Sequence, residues 1–338
     1  MKFITKSTPV INNIAKVGAK YYSSSAVKPN IKLIAQIRQK TEISISKAKE
    51  ALVATNNDLD AALEWIQTNL AEAGAKKGAK LAGRVASEGL VGVATVNDLV
   101  EGTSKGALVE LCCETDFVSR NDNFHELVQS IAKTVLTLQP EQSSNDTLLS
   151  LSPELVQEAL IEGDVTVKQK INETIGKLGE NIILRRTILT NLPKSESAKY
   201  FTAGFAHGGA ESGGKIGGLV VLKAEGSGEK DILPKLGRQL ARQVVGFNPQ
   251  CLTESDSLAI AKKSELPATE YEEFLSSAVL LNQSFIFGSE SVSNTLKQYV
   301  DTHQLNLSIE AFSRLEAGEG IEKVEDNFAE EVMKQANI

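Results

Sequence analysis

One pattern occurs twice in this chain and limits what it can fold into. Gly106-x-Leu108-Val109-x-Leu111-x-x-Glu114 recurs as Gly217-x-Leu219-Val220-x-Leu222-x-x-Glu225. Each copy reads as an apolar strand that runs into an amphipathic helix, and each helix closes near a proline, Pro140 and Pro249. In the first copy Phe124, Leu127, Val128, Ile131, Ala132, Val135 and Leu138 fall at helix-face spacing. A strand-then-helix unit buries one strand face under its helix. The repeat therefore predicts an α+β core of two similar halves, with antiparallel sheet packed on helices. At 338 residues and 41% hydrophobic content the chain is long and apolar enough to bury such a core.

The rest of the chain arranges itself around the repeat. Residues 31–70 read as three short helices with apolar faces at Ile31, Leu33, Ile34 and Ile37, then Ala48, Ala51 and Leu52, then Leu59, Ala62, Leu63, Ile66 and Leu70. Asn57-Asp58 offers an N-cap for the third. Residues 71–86, rich in Ala, Gly and Lys, read as a solvated flexible linker. The first core half is placed at 87–192, including a helix over 166–181 and a strand over 182–189. The second, at 193–338, includes a short helical stretch over 258–275, a strand over 306–314, and a C-terminal helix with Val324, Phe328, Val332 and Met333 on one side.

The copies differ at the turn that follows the strand. The first carries Thr115-Asp116-Phe117 where the second carries Gly226-Ser227-Gly228. A scaffold shared by both halves does not require Asp or Phe at that place. Phe117, beside Asp116 and Arg120 at a turn tip, is therefore read as a presented anchor rather than a core residue.

Charge and side-chain chemistry exclude several classes. A net charge of −7 argues against a general nucleic-acid binder. The cysteines, Cys112, Cys113 and Cys251, form neither a disulfide framework nor a C-x-x-C pair. His125, His207 and His303 lack ligand spacing. Gly209-Ala-Glu-Ser-Gly-Gly214-Lys215-Ile216 nearly fits a phosphate loop, but it lacks the closing Ser or Thr and leads into a strand instead of a helix. It reads as a hairpin loop. No apolar run approaches the roughly 18 residues of a membrane span. Ahead of Glu42, the first acid, lie Lys2, Lys6, Lys16, Lys20 and Lys28 with hydroxyl-rich Tyr21–Ser25, which resembles a mitochondrial transit peptide, placed at residues 1–25.

Glu114-Thr115-Asp116-Phe117-Val118-Ser119-Arg120-Asn121 resembles the Thr-Asp-Phe-Val signature of the elongation factor Ts family, exchange factors for elongation factor Tu. Three other segments resemble the same family: Ile34–Thr41 with Ser46–Leu52, Lys76–Gly83 with Glu88–Val93, and Glu316–Glu325 with Phe328–Val332. The resemblance implies that the N-terminal helices form a ubiquitin-associated-type domain. It also implies that the chain binds mitochondrial elongation factor Tu in the matrix and promotes GDP release, with no covalent chemistry, cofactor, metal or bound nucleotide of its own. Partner contacts are implied at Thr115, Asp116, Phe117, Val118, Arg120, Asn121 and His207, and in the helical domain at Ile43 and Ile45. The family has glycines where this chain has Glu42 and Ser44, and bacterial members carry a long helical hairpin where residues 258–275 are short. No direct contact with nucleic acid or membrane is expected. A ubiquitin-binding adaptor and an enzyme using the loop at 208–218 are the alternative classes.

Overall fold

The computed structural model describes residues 27–322 apart from 42, 44, 99, 101–102, 140–145, 194, 196, 210–212, 227, 229–230, 258–259 and 261–266. The expected transit peptide and C-terminal helix lie outside the described residues. The chain divides into two units, residues 1–66 and 67–338.

In the first unit, helices α1 (Ile31–Thr41) and α2 (Ile45–Ala54) precede the start of α3 (Leu59–Leu81). Ile34, Ile37, Ala48, Ala51, Leu52, Ala62 and Ile66 are buried, which are the apolar positions of the helical pattern. Asn56 and Asn57 take left-handed φ values of 54° and 64°, a region Asn tolerates, and so turn the chain between α2 and α3. The Asp58 carboxylate accepts from the Ala61 N–H at 2.9 Å and caps α3.

Residues 71–81, expected as a flexible linker, instead continue α3. Ala, Lys and Leu are strong helix formers. The glycines that suggest a linker serve a helix crossing: a Cβ on Gly74 would run into the Asn172 carbonyl, and one on Gly176 would lie 3.0 Å from the Leu70 oxygen. Only glycine lets the two backbones approach that closely.

The second unit continues with β1 (Glu88–Asp98), β2 (Thr103–Cys113), α4 (Asp116–Ser119), α5 (Asp122–Thr137), β3 (Leu148–Ser150), α6 (Pro153–Gln157), β4 (Leu160–Glu162), β5 (Val165–Thr166), α7 (Val167–Leu178) and β6 (Ile182–Thr190). Then follow β7 (Ala198–His207), β8 (Gly213–Gly214), β9 (Ile216–Glu225), α8 (Leu233–Phe247), α9 (Glu254–Ser257), α10 (Ala268–Ala278), α11 (Val292–His303) and β10 (Asn306–Glu316). One sheet has the order β3-β6-β2-β1-β8 and another the order β10-β9-β7, with every pairing antiparallel. The α+β expectation holds.

The repeat explains the layering. Residues alternate faces along a strand. Val109 and Leu111 pack under α5 with Phe124, Leu127, Val128 and Ile131. Their counterparts Val220 and Leu222 pack under α8 with Leu236, Leu240 and Val244. Leu108 and Leu219 point the other way and meet in one cluster with Val91 and Leu315. The order is therefore helix, sheet, sheet, helix. Gly106 and Gly217 sit at the contact between sheets; a Cβ on Gly217 would lie 2.5 Å from a Val91 methyl.

One charge interrupts this apolar interior. Glu110, fully buried on β2, accepts from Arg185 at 2.9 Å, from the Gly318 N–H at 2.9 Å and from Arg186 Nε. The register shifts between Glu110 and Leu111, so Arg185 bulges from β6 and both arginines reach one carboxylate. Arg186 also donates to the Glu316 carbonyl at 2.8 Å, which straps the end of β10 to the other sheet. Burial pushes the Glu110 pKa upward, but hydrogen bonds from Arg186 and Gly318 outweigh it and hold the carboxyl below the usual glutamate range.

Candidate partner-binding site

β2 ends at Cys113, and the chain turns through Glu114 and Thr115 into the single turn of α4. So short a helix has little stability of its own, and neighbouring groups hold it. Thr115 is its N-cap; its hydroxyl accepts from the Val118 N–H at 3.4 Å. The same hydroxyl donates to Glu180 Oε1 at 2.6 Å, and the Thr115 N–H donates to Glu180 Oε2 at 3.0 Å. Conversely, Glu114 accepts from the Asn181 N–H at 2.7 Å and pairs with Arg84 at 3.3 Å. Two adjacent pairs thus exchange carboxylate-to-amide bonds across the turn. Asn121 closes the segment by capping α5, its side-chain oxygen accepting from the Asn123 N–H at 2.9 Å.

Within this frame Phe117 is 82% exposed, whereas Val118 is 8% exposed and belongs to the core under α5. The two neighbours divide the work: Val118 ties the turn down and Phe117 is left in solvent. Val118 therefore supports the turn and is not open to a partner. Asp116 pairs with Arg120 at 2.8 Å on the surface, an ion pair of small energetic weight.

The glycine-rich segment lies at the same end of the sheet. β7 and β9 form a hairpin, as expected, with His207 opposite Ile216. Its Gly213 and Gly214 pair with Gly92 and Val91 of β1. Lys215 forms an ion pair with Glu88 at 2.9 Å, and Glu88 faces Cys113 across β1 and β2. His207 is exposed there. In the first unit Ile45 is 49% exposed and Ile43 is 8% exposed, so only Ile45 of that pair is open to solvent. An open hollow of about 670 Å³ between the Asn248–Leu252 loop and β10 contains none of the expected site residues.

Sequence reading placed Glu114 at the head of the signature stretch without giving it a role, and it missed Glu180 and Asn181 as parts of this site. Their contacts span 65 and 67 residues, so no local spacing announces them. The cue within reach was the N-cap itself: a Thr opening a four-residue helix needs an outside partner.

In the second copy of the turn, Gly228 is crowded by main chain. A Cβ on Gly228 would run into the His303 carbonyl and would lie 3.0 Å from the Gln304 oxygen. The connection between α11 and β10 crowds Gly228, the sequence counterpart of Phe117.

A family profile described as Elongation factor TS matches residues 114–270, beginning at this turn. Elongation factor Ts, mitochondrial, of Coprinopsis cinerea is 38% identical over 263 residues, covering 71% of this chain and 78% of that protein. Elongation factor Ts of Halothermothrix orenii is 33% identical, covering 91% and 98%. The Methylorubrum extorquens protein of the same name is 35% identical, covering 89% and 96%. These relatives set the class, a translation elongation factor. The chain belongs to the elongation factor Ts family.

Proposed function

We propose that this chain is a guanine nucleotide exchange factor for mitochondrial elongation factor Tu, acting in the matrix with no covalent chemistry of its own. The observation that carries the reading is Phe117, a large apolar side chain 82% exposed on a turn whose backbone is capped and tied down. Exposure of this kind fits a preformed anchor, since the turn does not have to order itself on binding. The mitochondrial part rests on the Coprinopsis relative and on the acid-free stretch before Glu42.

In this reading Phe117 enters an apolar crevice of the partner's GTPase domain. Asp116, released from its surface pair with Arg120, approaches the groups that hold magnesium and the phosphates. Weakening the grip on the ion weakens a polyanionic ligand sharply, because the ion is the largest local charge in such a site. Thr115 and Val118 fix the turn, Asn121 and Arg120 flank it, and His207 and Ile45 add contacts elsewhere. Linkage then sets the cycle. If the factor weakens GDP binding, GDP weakens factor binding by the same ratio, so the complex is tight only while the nucleotide site is empty. GTP entry ejects the factor, and the final GDP/GTP equilibrium is unchanged.

The test is release of a fluorescent GDP analogue from mitochondrial elongation factor Tu. Acceleration at substoichiometric amounts of the folded chain is the expected result. A folded chain that leaves the release rate unchanged overturns the reading.

A further inference from the structure

We infer that Glu180 is a positioning residue for the Phe117 anchor, acting through Thr115 and touching no partner atom itself. The inference rests on the exchange reading above and names a determinant of that same site.

Three observations converge. α4 has four residues, so its geometry comes from outside it. Glu180 uses both carboxylate oxygens on one residue, taking the Thr115 hydroxyl at 2.6 Å and the Thr115 N–H at 3.0 Å. Thr115 is the N-cap whose hydroxyl also receives the Val118 N–H. The hydroxyl's proton goes to Glu180, which leaves its lone pair aimed at the helix amide. The carboxylate thus orients the cap, and the cap sets the direction of the next two residues, Asp116 and Phe117.

Glu180 is itself placed by a stiff element. α7 begins in a capping box between Thr166 and Gln169 and ends at Gly179, whose left-handed φ of 86° turns the chain so that Glu180 faces the end of β2. The return bond from the Asn181 N–H to Glu114 fixes the loop from the other side. A bond from backbone and hydroxyl to an ionised acceptor is stronger than a neutral one, and preorganisation of a binding loop raises affinity without adding a contact.

The measurement is a double-mutant cycle in the GDP-release assay with the full chain: wild type, Glu180→Ala, Phe117→Ala and the double variant. Glu180→Ala should weaken the factor about five- to tenfold, the scale of one net intramolecular hydrogen bond. In the Phe117→Ala background the same change should have almost no further effect, because the group it positions is gone. Glu180→Gln, which keeps an acceptor for the Thr115 N–H, should restore part of the loss. Amide hydrogen exchange of the free chain should show faster exchange over residues 115–121 in Glu180→Ala and unchanged protection in β9 and α8.

An equal loss in both backgrounds would mean that Glu180 acts independently of Phe117 and overturns the inference while leaving exchange activity intact. Loss of protection throughout the chain, with no rescue by Glu180→Gln, assigns Glu180 to general stability and overturns it too. A wild-type chain that fails to accelerate release overturns the exchange reading, and the positioning role falls with it.

Discussion

Phe117→Ala separates an anchor from a core residue, and the structure sets the size of both effects. A fully buried Phe side chain is worth about 1.5–3 kcal/mol. With Phe117 82% exposed, only about a fifth of that, roughly 0.5 kcal/mol, is at stake in the free fold. The remaining four-fifths, about 2 kcal/mol, becomes available when a partner covers the ring. That is roughly 30-fold in affinity. The assay pairs GDP-analogue release, titrated with factor, against thermal unfolding of the same preparation. The half-maximal factor concentration should rise about 30-fold, while the midpoint of unfolding moves by about 2 °C or less. A melting point lowered by about 5 °C or more would show that Phe117 supports the fold. An unchanged titration curve in a folded variant would show that the exposed ring meets no partner.

Three further outcomes follow from the interior. Gly217→Ala places a methyl 2.5 Å from Val91 and 3.1 Å from Val93; denaturant titration should show a loss of about 1–3 kcal/mol, the scale of overpacking. Glu110, whose folded pKa lies below its unfolded value, contributes stability that is present above about pH 4.3. This contribution is lost as pH falls through the folded value. The stability gap between wild type and Glu110→Gln should therefore narrow as urea titrations move from pH 6 toward pH 3, and a constant gap would refute it. Burial pushes the Cys112 thiol up to about 12 and raises Cys113 and Cys251 as well. A neutral-pH thiol reagent should label all three slowly in the folded chain and quickly in denaturant; rapid labelling of the native chain would contradict that burial.

Elements with a local period were legible in the sequence. The apolar positions of α5 are the buried ones, and the strand-then-helix repeat marked the two outer helices. The contrast between Thr115-Asp116-Phe117 and its glycine counterpart pointed to a side chain left in solvent. What escaped was set by partners distant in sequence. Ala71–Leu81 has the composition of a linker, yet its glycines answer to α7, about a hundred residues away. Val118 and Ile43 belong to functional stretches by resemblance but are buried. The Glu110 cluster needed a bulge at Arg185, which no spacing rule reveals. The carboxylate behind Thr115 likewise sits on an element that only the tertiary fold brings near.

The crowding of the second turn gives the near-symmetry of the core a direction. Two equivalent launch points existed in principle, one at the end of each repeated strand. β10 pairs with β9, and the carbonyls of His303 and Gln304, in the connection that leads into β10, crowd Gly228. A Phe grafted at Gly228 would have to evict main chain. The first repeated strand therefore ends in a turn that leaves an aromatic ring exposed, whereas main chain leading into β10 crowds Gly228 beyond the second.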